Sequence, residues 1–151
     1  MHNINLATTS SKQTRQIAGL LTKELFKTKI KQENSLVLAL QGDLGGGKTT
    51  FAQGFLRGAG IRKKITSPTF VLVKIYNLKP ATYNKIYHID CYRLKTAKEI
   101  LDLGLGEILA SPKNIILIEW PEKIKKHLPK NHILIRFNHG KKENERIIVI
   151  K

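Results

Sequence analysis

A chain of 151 residues is long enough for one domain and too short for two ordinary ones. Its 41% apolar and 25% charged residues lie near globular averages, which argues against a disordered or fibrous chain. The single cysteine, Cys91, excludes an intramolecular disulfide, and the five histidines (His2, His88, His127, His132, His139) show no metal-ligand spacing. No apolar run reaches the roughly 18 residues of a membrane span. The stretch Met1 to Ser11 is polar and lacks the apolar core of a signal peptide. The expectation is a soluble, cytoplasmic protein with no membrane partner, built as one domain over residues 1–151.

The formal charge is +16, from 27 Lys/Arg against 11 Asp/Glu. Such an excess attracts polyanions through counterion release. The charge is spread, however, with 12 basic against 3 acidic residues in 1–75 and 15 against 8 in 76–151. No dense basic block interleaves with aromatics, so charge alone points only weakly to nucleic acid. The scarcity of acids says more. An acid at the end of an apolar strand in this chain calls for a reason.

In chain order, Ser10 to Thr28 reads as a helix: Ile17, Leu20, Leu21, Leu25 and Ile30 recur every three to four residues, and Ser10 or Ser11 can cap it. Ser35 to Leu40 is a short apolar run, the pattern of a strand buried on both faces. A glycine-rich turn, Gly42 to Gly47, leads into a helix from Lys48 to Ala59, ended by Gly60. Thr69 to Tyr76 and Lys85 to Asp90 read as a hairpin around a turn containing Pro80. Thr96 to Leu103 is a short helix broken by Gly104 and Gly106. Asn114 to Trp120 is a second buried strand, and Pro121 opens a helix to Leu128. His132 to Phe137 and Arg146 to Ile150 form a terminal antiparallel hairpin. The expected fold is α/β, a P-loop NTPase-like domain. Its sheet is mixed, with two parallel core strands, antiparallel hairpin edges and helices on both faces.

The segment Gly42-Asp43-Leu44-Gly45-Gly46-Gly47-Lys48-Thr49 fits G-x-x-x-x-G-K-[ST], between a buried strand and a helix. Glycines let successive backbone N–H groups turn inward at phosphate oxygens, and the helix N-terminus adds its positive end. Lys48 reaches the β- and γ-phosphates, and the Thr49 hydroxyl suits magnesium, a hard ion that takes oxygen ligands.

Such a loop needs a carboxylate for the metal at the end of a neighbouring buried strand. Glu119 directly follows Ile115-Ile116-Leu117-Ile118, and Asp90 ends Ile86-Tyr87-His88-Ile89. Glu119 takes the metal-holding role. Asp90 is placed to hold a metal-bound water or orient an attacking one, with capping of the next segment as its alternative. Asp43, Glu107 and Glu122 read as cap or surface acids. Thr66-Ser67-Pro68-Thr69 stands where P-loop proteins carry a γ-phosphate sensor, or is an ordinary polar turn. Trp120 either packs in the core or covers a nucleotide or partner. Arg93 either offsets phosphoryl charge or makes a structural ion pair. His88 reads as a hydrogen-bonded core residue and Cys91 as packing.

Four segments stand in order: Gly42 to Phe51, Thr66-Ser67-Pro68-Thr69-Phe70, Tyr87-His88-Ile89-Asp90-Cys91-Tyr92-Arg93-Leu94, and Leu117-Ile118-Glu119-Trp120-Pro121. Together they resemble the TsaE (YjeE) family of small bacterial P-loop ATPases, over nearly the whole chain. The resemblance implies an ATP-hydrolysing accessory of a TsaD–TsaB complex. That complex makes threonylcarbamoyl-adenosine in tRNA beside the anticodon, and the accessory's own Mg2+-dependent ATPase is weak without those partners. It further implies that Lys48 and the loop residues Gly42, Leu44, Gly45, Gly46, Gly47, Thr49 and Thr50 hold ATP, and that Thr49 and Glu119 hold Mg2+. Lys48, Asp90 and Thr69 would serve catalysis. Gly46 departs from the family's commoner alanine, a harmless change that adds backbone freedom. Lys141 to Arg146 lacks the Gly-Arg expected near the nucleotide. Two other readings of the residues are a small-molecule P-loop kinase and a non-catalytic RNA-binding module. Scattered arginines and the lack of a lid insertion speak against the kinase.

Overall fold

The computed structural model describes residues 2–28, 31–66, 72–79 and 81–151. Ile30, Thr69 and Pro80 therefore lie outside the described residues, as does most of the Thr66 to Thr69 segment. In chain order the elements are β1 (Ile4–Thr8), α1 (Ser11–Lys27), β2 (Leu36–Gly42), α2 (Lys48–Gly58), β3 (Val73–Asn77), β4 (Lys85–Asp90), α3 (Lys98–Asp102), α4 (Leu105–Ala110) and β5 (Asn114–Glu119), followed by a 3-10 helix (Pro121–His127), β6 (Ile133–His139) and β7 (Arg146–Ile150).

The strands form one mixed sheet in the order β1-β7-β6-β2-β5-β4-β3. Strands β6, β2, β5 and β4 run parallel. The hairpins β3–β4 and β6–β7 are antiparallel, and β1 closes one edge against β7. The parallel core thus has four strands rather than the expected two, because one strand of each hairpin also docks on the centre. Strand β1 lies outside the elements that the sequence pattern predicts. Its alternation is short and half polar, and its partner β7 lies at the other end of the chain, so local pattern carries little signal.

The continuous apolar runs follow from cover on both faces. Leu36, Leu38 and Leu40 of β2 join Phe51, Phe55 and Leu56 of α2 on one side. Val37, with Ile116 and Ile118 of β5, joins Ile100, Leu105 and Ile124 on the other. Each such fully buried side chain stabilises the fold by about 1.5–3 kcal/mol. Phe51 also meets Phe137 of β6 edge-on at 5.4 Å, tying α2 to the strand beyond β2.

Helix α1 begins as its sequence suggests. The Ser10 hydroxyl accepts from the Gln13 N–H at 3.1 Å, and Gln13 Oε1 accepts from the Thr9 N–H at 2.7 Å. Its buried stripe differs from the expected one. Thr14, Ala18 and Thr22 are buried, Ile17, Leu21 and Leu25 only partly so, and Leu20 is exposed. The reason is the close approach of α2. A Cβ on Gly54 would come within 2.5 Å of Arg15 Cα, and one on Gly58 within 2.8 Å of Gly19 Cα. Small residues on both helices allow this contact, and the Thr22 hydroxyl bridges it at 3.0 Å from Phe55 O.

Two later helices also depart from expectation. The segment before Gly104 is shorter, and a further helix, α4, follows it across the left-handed Gly104. The segment after Pro121 is a 3-10 helix interrupted at Ile124 rather than an α-helix. Cys91 is fully buried, as expected for packing. Burial pushes its thiol up to about 12, and Asp90, Glu122 and Glu119 add to the rise.

Gly54→Ala should destabilise the protein by roughly 1–3 kcal/mol through overpacking of the α1–α2 contact. Gly106→Ala, where an added Cβ meets nothing within 4 Å, should stabilise it by up to about 1 kcal/mol. Urea unfolding of both variants checks the opposite signs. Cys91 should resist iodoacetamide at pH 8 in the native protein and react fully in denaturant, followed by mass spectrometry, since only the thiolate attacks.

Candidate functional site

Strands β2, β5 and β4 end at the same edge of the sheet. Register pairs Leu40 with Glu119 and Asp90 with Glu119, so both acids sit level with the start of the glycine-rich turn. In parallel α/β sheets this edge is where ligands bind. A cavity of about 480 Å³ opens there. The glycine-rich turn from Leu44 and the first residues of α2, Lys48 to Thr50, line it, with Asp90, Tyr92, Glu119 and Trp120 opposite.

The turn has the shape its glycines permit. Gly45 and Gly47 are left-handed, with φ of 73° and 104°, and Gly47 directly precedes helix α2. A Cβ at Gly46 would lie 2.9 Å from Asp43 O, so in this conformation glycine fits more easily than alanine. The buried Lys48 side chain folds back over the turn. Its ammonium donates to Gly42 O and, at 2.8 Å, to Asp43 O, and it lies 4.3 Å from the centre of the Trp120 ring. Burial lowers the Lys48 pKa from its ordinary value, opposed by the charges of Glu119, Glu122, Asp43 and Asp90.

Glu119 is 2% exposed, and both its oxygens are engaged. Thr49 Oγ1 donates to Oε1 at 2.7 Å, and His88 Nε2 lies 2.7 Å from Oε2. Asp90 is also buried, and its Oδ1 accepts the Tyr92 N–H at 2.9 Å. Among the described residues no group of three or more His, Cys, Asp or Glu converges as a metal cage. Thr49 and Glu119 instead make a two-oxygen set, the kind magnesium uses when phosphate and water complete its shell.

Lys48, Thr49, Thr50, Gly45, Gly46, Gly47, Leu44, Asp90 and Glu119 thus line one cavity, with Gly42 at its root beneath the lysine. Thr69 lies outside the described residues. Thr66 is exposed and accepts from Lys74 Nζ. Asp43, Glu107 and Glu122 are exposed, as expected of surface acids. His88 is the hydrogen-bonded core residue that its apolar neighbours suggested. Trp120 is half-buried at the cavity wall, 5.0 Å from the Tyr92 ring, and is left-handed at φ 58°. For a tryptophan that backbone is costly, and such residues cluster at functional sites.

Sequence reasoning missed part of the wall. Ser10, Ser11 and Thr14 from the start of α1 line the cavity, as do Asn144 from the β6–β7 turn and Arg146 from the start of β7. Arg146 donates to Gly45 O at 3.0 Å, so the stretch without Gly-Arg still reaches the glycine-rich turn. No local motif marks these residues. Only the docking of β1 and β7 at the sheet edge brings them in.

The chain matches the model of the family described as threonylcarbamoyl adenosine biosynthesis protein TsaE over residues 8–148. It is 43% identical to the tRNA threonylcarbamoyladenosine biosynthesis protein TsaE of Bacillus subtilis (strain 168), over 66% of this chain and 59% of that protein. It is 38% identical to the protein of the same name from Haemophilus influenzae, over 74% of this chain and 68% of that one. For the Rickettsia typhi protein the figures are 43% identity, 83% and 76%. The matched stretch is thus between about three fifths and three quarters of these relatives' lengths. The fold is similar to that of YdiB from Bacillus subtilis, known from a crystal structure, with a TM-score of 0.75 and 30% identity over 99% of this chain and 84% of that one. By its family match over nearly its whole length and by these relatives, the chain belongs to the TsaE family of threonylcarbamoyl adenosine biosynthesis proteins.

Proposed function

We propose that this protein binds and hydrolyses MgATP in the strand-end cavity, as an accessory of the TsaD–TsaB complex that forms threonylcarbamoyl-adenosine in tRNA. The observation that carries the reading is the convergence of Lys48, Thr49, Asp90 and Glu119 around a left-handed glycine turn at one sheet edge. Gly42, Leu44, Gly45, Gly46, Gly47 and Thr50 supply backbone groups to a phosphate chain at the start of α2, where the helix end favours negative charge. Lys48 has a short path from loop carbonyls to phosphate oxygens, since its ammonium already lies over the turn.

Thr49 and Glu119 would hold magnesium. The ion, when bound, neutralises charge on the β- and γ-phosphates. The Thr49 hydroxyl commits its hydrogen to Glu119 and so keeps its lone pairs for a cation. Asp90 sits across the cavity, level with Glu119, and would orient the water that attacks the γ-phosphorus. In that step the water O–P bond forms, the bridging P–O bond to ADP breaks, and the water proton leaves through Asp90. Thr69 remains a proposed contributor to this chemistry. Trp120 and Tyr92 wall the cavity and help exclude bulk water. The cytoplasm, where tRNA is modified, is the proposed location.

The direct test is ATPase activity with and without purified TsaD and TsaB proteins. Activity should rise when the partners are present; activity absent in both mixtures would overturn the reading. Lys48→Ala should weaken ATP binding and abolish turnover while keeping the circular dichroism spectrum. Asp90→Asn should bind MgATP yet slow single-turnover hydrolysis by about 100- to 10,000-fold, the usual loss for a positioned acid–base group. Normal hydrolysis by Asp90→Asn would reduce this residue to a cap for Tyr92.

A further inference from the structure

His88 is fully buried in the middle of β4, with Leu117 as its register partner on β5. Its Nε2 lies 2.7 Å from Glu119 Oε2. An ionised carboxylate only accepts hydrogen bonds, so Nε2 carries the hydrogen. The other ring nitrogen, Nδ1, is buried with no hydrogen-bond partner among the described residues. A histidine here is therefore a poor core filler. It leaves one polar atom unsatisfied, where an aliphatic or aromatic residue would leave none. Among the described residues, its one side-chain hydrogen bond goes to the carboxylate that faces the cavity.

The two contacts on Glu119 have different origins. Thr49 belongs to the first turn of α2 and holds Oε1, whereas His88 belongs to the sheet and holds Oε2. Without His88, Oε2 would lose its sheet-based donor, and the carboxylate could rotate about its last bond. A side chain gripped from both sides presents one fixed geometry to a cation.

We propose that His88 is a positioning residue: its Nε2–H locks the Glu119 carboxylate in the orientation that serves magnesium. This rests on the reading of Glu119 as a metal ligand. His88 touches neither nucleotide nor metal and acts only through Glu119.

The test compares His88→Gln, His88→Asn and His88→Phe with the wild type and with Glu119→Ala. The glutamine amide nitrogen reaches the position of Nε2, whereas the asparagine nitrogen reaches only that of Nδ1. Affinity for Mn2+ in the presence of ADP is read by electron paramagnetic resonance on the isolated protein. ADP affinity in EDTA and the melting temperature are measured beside it. Phe and Asn should weaken Mn2+ binding by roughly 10- to 100-fold, the usual effect of losing a group that orients a metal ligand. Gln should stay near wild type, and ADP affinity in EDTA should not change.

Wild-type Mn2+ affinity in the Asn and Phe variants, with weakened affinity in Glu119→Ala, would overturn the role of His88 alone. Unchanged affinity in Glu119→Ala would remove the metal role of Glu119 first, and the proposal with it. Equal losses in Gln and Asn that follow their melting temperatures would make His88 merely structural. If the Phe variant does not fold, the Gln–Asn contrast decides by itself.

Discussion

A carboxylate that is 2% exposed needs hydrogen-bond donors on its oxygens to replace the water it has lost. Glu119 has them from two directions, the Thr49 hydroxyl and the His88 ring. Three elements therefore meet at one side chain: the start of α2, the end of β5 and the middle of β4. Removing either donor would leave a buried acceptor short of a partner, which typically costs about 1–3 kcal/mol and more for a charged group. The cavity stands around this contact, because the same carboxylate fixes the distance between the glycine-rich turn and the sheet.

The rest of the fold keeps that distance constant. Helix α2 carries Lys48 and Thr49 at its first turn, and its position depends on two contacts. Phe51 and Phe55 anchor it on the sheet, and its glycine face lets α1 approach it closely. The first contact supplies burial, and the second leaves little freedom to slide. The strand ends contribute Glu119 and Asp90 side by side because β4 and β5 are parallel and in register. An antiparallel β4 would have sent Asp90 to the opposite edge. Trp120 completes the wall by turning the chain sharply after β5, in a conformation that tryptophan rarely adopts.

Charge is used sparingly in this chain. Only 11 acids accompany 27 basic residues, yet two of those acids are buried at the ends of neighbouring strands. The ammonium of Lys48 faces them from across the turn, and all three groups lie at the cavity. Most of the remaining charge is on the surface, where it screens readily and decides little about the fold.

The residues alone determined a good deal. The phosphate-loop spacing, the apolar run before it and an acid after a second such run follow from local chemistry, and each is legible in a few consecutive residues. So were the Ser10 cap, the antiparallel hairpins and the core placement of His88 and Cys91. Tertiary structure decided what depends on partners distant in sequence. Strand β1 joins a sheet through β7, more than a hundred residues away, and thereby brings Ser10, Ser11 and Thr14 to the cavity. The buried stripe of α1 is made of small residues rather than leucines because another helix lies against it, which no periodicity within α1 reveals. The bond between His88 and Glu119 spans two strands 31 positions apart. Local pattern could place each residue in a strand, but only the parallel pairing of those strands put the ring beside the carboxylate.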